Sequence, residues 1–273
     1  LLKEYKFMTI FDSIILGIVE GITEFLPVSS TAHLILTAKL LGLQETASLK
    51  AYETIIQFGA ILAVLFIYKD KVFWSKDKTA PNSIKNTLIL WIKLAIAFIP
   101  TGIAGLFLYS SIKAFFTPSA TVWFMIVTGI VFIIVEKIHK EQHHHTDGLN
   151  NMSYTKSILV GLFQAISLLP GVSRSGATII GGLLIGLKRK TAVEFSFLLA
   201  LPTMLVATCY EIYKGYDEFV FDSMLTLGVG FVVSFIFSYL AVKWFLKFVE
   251  NYTFIPFGIY LIISGIGFYF LFL

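Results

Sequence analysis

The chain has 273 residues, of which 57% are hydrophobic and 14% charged, and its formal net charge is +4. A soluble globular domain carries about 25% charged residues, so a deficit spread over the whole length excludes a water-soluble fold and places the chain in a bilayer. The modest positive charge forms no long basic face, which excludes nucleic acid as a partner, and the single Cys209 excludes both a disulfide framework and a cysteine metal site.

The first apolar region, about 10–43, is broken near its middle by the run EGITEFLPVSSTAH at 20–33. Each half is about 15 residues, short of the roughly 20 needed to cross hydrocarbon. The region therefore predicts a helical hairpin that enters the membrane, turns at mid-depth and leaves on the same side. Glu20 and Glu24 interrupt the apolar stretch, so no cleavable signal peptide is expected. Four residues apart, the two carboxylates share one helical face. At this depth they require a cavity or a partner. Together they can hold a divalent cation through oxygen ligands, or one can serve as general base or orient a histidine. Pro27 ends the first helix, and Ser29 is placed to cap the next. A helix N-terminus at that point offers N–H groups and a positive dipole to an anion such as phosphate. Ser30 and His33 fall in its first turn, where the imidazole can reach the hydroxyl, to activate it or to protonate a leaving group.

Three spans follow, at about 50–68, 86–109 and 118–136. Glu53 opens the first of these in a position that suits the helix dipole, and Lys93 in the second can snorkel to the interface. HHH at 143–145 sits in a polar loop and reads as solvated surface. A second broken apolar region, about 153–187, contains LLPGVSRSGAT at 168–178. Ser173 is the expected cap and Arg174 follows it. Gly171 and Gly176 leave room for close backbone approach, while Ser175 and Thr178 add hydroxyls. A guanidinium at this depth suits a phosphate bidentately, or pairs with Glu20 or Glu24 across the two hairpins. The last spans are about 191–213, opened by Glu194, then 222–242 and 254–273.

A shift of 144 positions aligns 17–43 with 161–187 at eight identities, including the Val-Ser pair at each break. Glu20 falls opposite Gln164. Three spans separate the hairpins, and an odd number of crossings inverts the second copy. The expectation is an all-α polytopic membrane protein with six transmembrane helices and two re-entrant hairpins. They form one integral membrane domain whose repeats cover about 10–136 and 153–273. Inverted repeats put the working site near the midplane, where broken helices meet.

Loop lysines orient the chain by the positive-inside rule. Lys69, Lys71, Lys76, Lys78, Lys85, Lys137, Lys140, Lys156, Lys188, Arg189, Lys190, Lys243 and Lys247 gather on one side. Only Lys3, Lys6, Lys39, Lys50, Lys113 and Lys214 face the other, the last beside Asp217 and Glu218. Both termini are thus expected outside the cytoplasm. Architecture alone would equally suit a secondary transporter or a lipid-carrier flippase. The Ser30–His33 spacing, which transport does not require, favours an enzyme.

EGITEFLPVSSTAH and LPGVSRSGAT resemble the two signature regions of the bacterial undecaprenyl-diphosphatases of the bacitracin-resistance type. The resemblance covers essentially the whole chain. It implies removal of the terminal phosphate from undecaprenyl diphosphate, a polyprenyl diphosphate lipid, which recycles the carrier for envelope polymers. It also implies functional roles for Glu20, Glu24, Ser30, His33, Ser173, Arg174 and Thr178, with Ser29, Ser175 and Gly176 beside them at the substrate. A divalent cation, Mg2+ or Ca2+, is implied at Glu20 and Glu24, as is a site in the inner membrane opening away from the cytoplasm. The nucleophile stays open among Ser30, His33 and water, and a homodimer is one admissible assembly.

Overall fold

A computed structural model describes residues 8–44, 46–74, 83–139, 142, 145–215 and 224–272. Among them run eleven α-helices and a 3-10 turn, with one isolated bridge between Thr146 and Leu187 and no strand. Helix α1, Ile10–Thr23, opens on a capping box in which Thr9 Oγ1 accepts from the Asp12 N–H at 3.1 Å and the Asp12 carboxylate accepts from the Thr9 N–H at 2.9 Å. Its 14 residues rise about 21 Å, less than a bilayer's hydrocarbon thickness. Pro27 stands in the break, and α2 resumes at Ser30–Leu40. Gly42, at φ 70°, then closes α2 in a left-handed turn with Leu43 N–H donating to the Ala38 carbonyl.

The same grammar recurs further on. Ser153 caps α7, Tyr154–Ile166; Pro170-Gly171 breaks it; α8 spans Arg174–Leu184; and Gly186, at φ 77°, closes it. The bounds of α8 lie 144 residues beyond those of α2.

Five helices are long and apolar enough to cross a membrane: α3 Ala47–Ile67, α5 Ile84–Lys113, α6 Pro118–Ile138, α9 Arg189–Gly215 and α10 Met224–Asn251. The chain is an all-α, multi-pass membrane protein. The one-turn α4, Lys69–Val72, follows α3, and the apolar α11, Ile255–Phe272, is shorter than the five. The two broken pairs are held by small residues. Gly161 of α7 lies against the Ala97 carbonyl of α5, and a Cβ added to Gly21 of α1 would meet the Ser234 carbonyl of α10 at 2.6 Å. With no hydrophobic force between helices in lipid, such backbone approach is what packs them.

Several polar groups inside the bundle satisfy each other. Gln164 Nε2 reaches Thr101 Oγ1 at 2.9 Å and Thr203 Oγ1 at 3.1 Å, next to the helix prolines Pro100 and Pro202. Lys93, expected at the interface, is buried and donates to the Leu149 and Asn150 carbonyls at 2.9 and 3.0 Å. Glu194, expected to serve the helix dipole, pairs with Lys71 at 2.7 Å. His145 stacks on His139 with centroids 5.1 Å apart. Lys3, Lys6, Lys76, Lys78, Lys140, His143, His144, Asp217 and Glu218 lie outside the described residues.

Candidate active site

The two breaks meet. Arg174, the first residue of α8, donates from Nη2 to Glu24 Oε1 at 2.8 Å, across 150 residues of sequence. Its Nη1 donates to the Ser196 carbonyl of α9 at 3.2 Å, and its guanidinium stands 5.4 Å from the Phe25 ring centroid. Backbone, carboxylate and aromatic face together aim a planar fork that would otherwise be free to rotate. Glu24 itself is buried. Its second oxygen, Oε2, accepts from Ser30 Oγ at 2.5 Å. One carboxylate therefore joins the cation of one hairpin to a hydroxyl of the other, and a charge-assisted bond of that length is strong.

The histidine goes elsewhere. His33 Nδ1 is 2.8 Å from the Ser29 carbonyl, and Nε2 is 2.6 Å from the Tyr260 hydroxyl. The shared helix turn places His33 near Ser30 but does not aim the ring at it, because the carbonyl of Ser29, one turn back, captures the nearer nitrogen. Ser30 finds the carboxylate instead.

Ser29 is the only non-glycine residue with positive φ among those described, at φ 67° and ψ 83°. A left-handed serine costs about 1–2 kcal/mol. It stands in the cap position, yet its side chain makes no cap hydrogen bond. The first-turn N–H groups of α2, which lack intrahelical acceptors, are left without a side-chain partner. At the matching position Ser173 does cap α8, accepting from the Gly176 N–H at 3.1 Å. The two helix ends thus differ: α2 presents its amides, and α8 satisfies its own.

Other expected residues of the second hairpin are engaged in holding it. Ser175 Oγ donates to the Leu26 carbonyl at 3.0 Å, bolting one break to the other. Gly176 leaves space that Phe132 fills, since an added Cβ would meet that ring at 2.9 Å. Thr178 Oγ1 lies 2.6 Å from Ser196 Oγ and also bonds the Arg174 and Ser175 carbonyls. All three residues are buried.

Glu20 is fully buried, and neither of its carboxylate oxygens has a hydrogen-bond donor. Glu24, Glu53 and Arg174 all stand within electrostatic reach of it. Free carboxylate lone pairs in that setting fit a hard, oxygen-seeking cation. No cluster of three or more His, Cys, Asp or Glu side chains among the described residues could enclose one. The fit is thus to an ion held by one or two carboxylates and completed by other oxygens, the pattern usual for Mg2+.

Residues 13–267 match the profile of the bacitracin resistance protein BacA. The chain belongs to the BacA family. It is 54% identical over 258 residues to the undecaprenyl-diphosphatase of Persephonella marina, covering 94% of this chain and 97% of that protein. With the undecaprenyl-diphosphatase of Wolinella succinogenes it shares 50% over 263 residues, 96% of this chain and 98% of the relative. That of Sulfurihydrogenibium sp. is 50% identical over 262 residues, covering 96% and 99%.

Four neighbours of the site in this BacA chain escape sequence reasoning: Ser196, Tyr260, Phe25 and Met204. Ser196 lies beyond the 161–187 window that the repeat aligns, and no local pattern marks it. Nothing local marks Tyr260, which sits 227 residues from the histidine it touches.

Proposed function

We propose that this chain is a membrane phosphatase that hydrolyses undecaprenyl diphosphate to undecaprenyl phosphate and inorganic phosphate, recycling a lipid carrier for cell-wall synthesis. The observation that carries the mechanism is the half-buried line Ser30 Oγ–Glu24–Arg174 across the two breaks. Phosphoryl transfer needs positioning and neutralised charge more than covalent chemistry. In the resting arrangement Arg174 is satisfied by Glu24. An incoming diphosphate is a better partner for the fork, being more highly charged and able to accept bidentately. As Arg174 turns to the phosphate, Glu24 loses its counter-charge. It then takes the Ser30 proton while Ser30 Oγ forms a bond to the terminal phosphorus. The bond from that phosphorus to the bridging oxygen breaks, and undecaprenyl phosphate departs. Water subsequently cleaves the phosphoserine to release inorganic phosphate. The uncapped amides of α2 suit the oxygens of the transferred group.

Glu20, with Glu24, is the place for a divalent cation, Mg2+ or Ca2+, which when bound would neutralise phosphate charge. Ser29, Ser173, Ser175, Gly176 and Thr178 shape the pocket, the last four by holding α8 at its angle. The membrane layout supported by the matching helix bounds is six spans with two re-entrant hairpins, α1–α2 and α7–α8. These fall in inverted repeats at about 10–136 and 153–273 of one integral domain. The lysine asymmetry supports a site opening to the non-cytoplasmic side of the bacterial inner membrane.

The deciding measurement is phosphate release by purified protein from a polyprenyl diphosphate in detergent or vesicles. Release that disappears in Ser30→Ala, Glu24→Gln and Arg174→Ala is the expected result. Lipid movement without release would return the chain to the transporter class.

A further inference from the structure

His33 Nδ1 faces a carbonyl at 2.8 Å, and a carbonyl oxygen can only accept. Nδ1 therefore carries a proton, and in the neutral ring Nε2 is left as an acceptor. The group facing Nε2 is the Tyr260 hydroxyl at 2.6 Å, which must then be the donor. The two rings lie nearly parallel, 9° apart with centroids at 5.6 Å, and the Phe268 ring meets the imidazole edge-on at 6.2 Å. Both flanking rings belong to α11. The Ser29 carbonyl also accepts from the His33 N–H at 3.3 Å, so two donors from one residue converge on it. That carbonyl belongs to the left-handed Ser29, directly before Ser30.

We propose that Tyr260 and His33 together form a brace: Tyr260 donates to Nε2 and holds the His33 ring in place, and the Nδ1–H of His33 holds Ser29 in the left-handed turn that aims Ser30. Both are positioning residues, and His33 transfers no proton in the reaction. This rests on the phosphatase reading for its kinetic readout, though not for its geometry. The brace explains why the ring does not engage Ser30, and why α2 tolerates a strained cap position with no side-chain cap. It also ties the nucleophile's turn to α11, the last helix of the chain. Loosening α11 would therefore be felt at Ser30.

The two ring nitrogens can be replaced separately. In His33→Asn the amide Nδ2 stands where Nδ1 stood and can still donate to the Ser29 carbonyl, with no titratable nitrogen remaining. His33→Gln places its amide nitrogen at the Nε2 position instead. A brace predicts that His33→Asn, which keeps the bond to Ser29 and loses the one to Tyr260, falls no further than Tyr260→Phe, about three- to tenfold, while His33→Gln and His33→Ala fall by more than about tenfold. Equal losses in His33→Asn and His33→Ala would overturn the brace in favour of proton transfer by the ring. Tyr260→Phe removes only the hydroxyl. It should lower kcat about three- to tenfold with KM little changed. In the 15N spectrum of histidine-labelled protein, assigned by the signal missing in His33→Asn, Nε2 should move to the position of a free pyridine-type nitrogen while Nδ1 stays protonated. An unchanged Nε2 resonance, or an unchanged kcat in Tyr260→Phe, would remove Tyr260 from the assignment. Elution volume and thermal midpoint identify any variant that has simply misfolded. If the parent protein releases no phosphate, the phosphatase reading fails by itself, and the nitrogen spectra still decide whether Tyr260 donates to His33.

Discussion

Glu24 spends one oxygen on Arg174 and the other on Ser30. Replacing it with Gln keeps the shape but removes both the base and the counter-charge. General-base loss alone is worth about 100- to 10,000-fold. Phosphate release should therefore fall at least about 100-fold in Glu24→Gln, and Ser30→Ala combined with it should be no worse than either alone, because the residues act as one unit. Arg174→Lys keeps the charge and loses the fork. It should retain binding of the diphosphate yet drop kcat clearly, read by steady-state kinetics. Ser29 offers a cleaner case. Glycine adopts positive φ freely, so Ser29→Gly should keep phosphate release and a thermal midpoint at or above the parent's. A β-branched Val at the same position should lose both, since its side chain clashes in the left-handed region.

At the scale of elements, the working parts are two interrupted helices rather than the spans around them. A proline and a short polar run follow α1 and α7, which have 14 and 13 residues, and a left-handed glycine stops α2 and α8 after 11 residues each. The tip of the second break depends on Gly171, which has φ 89° and lies against the Thr121 carbonyl of α6. Gly171→Ala meets both obstacles at once, a strained backbone and a carbonyl in the way of its Cβ. The expected outcome is a destabilisation of at least about 2 kcal/mol by thermal or denaturant unfolding, with Arg174 displaced and phosphate release reduced. Gly161→Leu should pry α7 from the Ala97 backbone of α5 and lower stability in the same assay.

Over the whole molecule, charge is distributed by depth. Arg189 grips the buried Glu136 through Nε at 3.2 Å and Nη2 at 2.9 Å, while Lys188–Asp147 and Lys190–Glu250 pair nearer the surface. Removing a partner from a buried pair costs about 3–5 kcal/mol, whereas an exposed pair is worth little. Glu136→Ala should therefore lower the thermal midpoint strongly and Glu250→Ala hardly at all. Glu20, buried beside Glu24 with both oxygens free, gives the cation test. Chelation should depress phosphate release and added Mg2+ or Ca2+ restore it, and Glu20→Gln should lose that response while remaining folded.

What the sequence determined by itself was the set of things that depend on local order. Apolar run length marked the five helices long enough to cross, although α11, expected as a sixth span, is shorter; the prolines marked the breaks, and self-similarity at 144 residues linked them. The rarity of Glu, Arg and His in an oily chain was enough to pick out Glu20, Glu24, Arg174 and His33. Pairing among those residues was decided only by tertiary structure. Local spacing made His33 the natural partner of Ser30, but the ring's nearer nitrogen is satisfied by its own helix and its outer one by Tyr260 on α11. The symmetry of the two breaks suggested two serine-capped helix ends, yet Ser173 caps one and the left-handed Ser29 leaves the other without a side-chain cap. Spacing along a chain says which groups can meet. Which of them do meet depends on where each polar atom finds its best partner once water is gone.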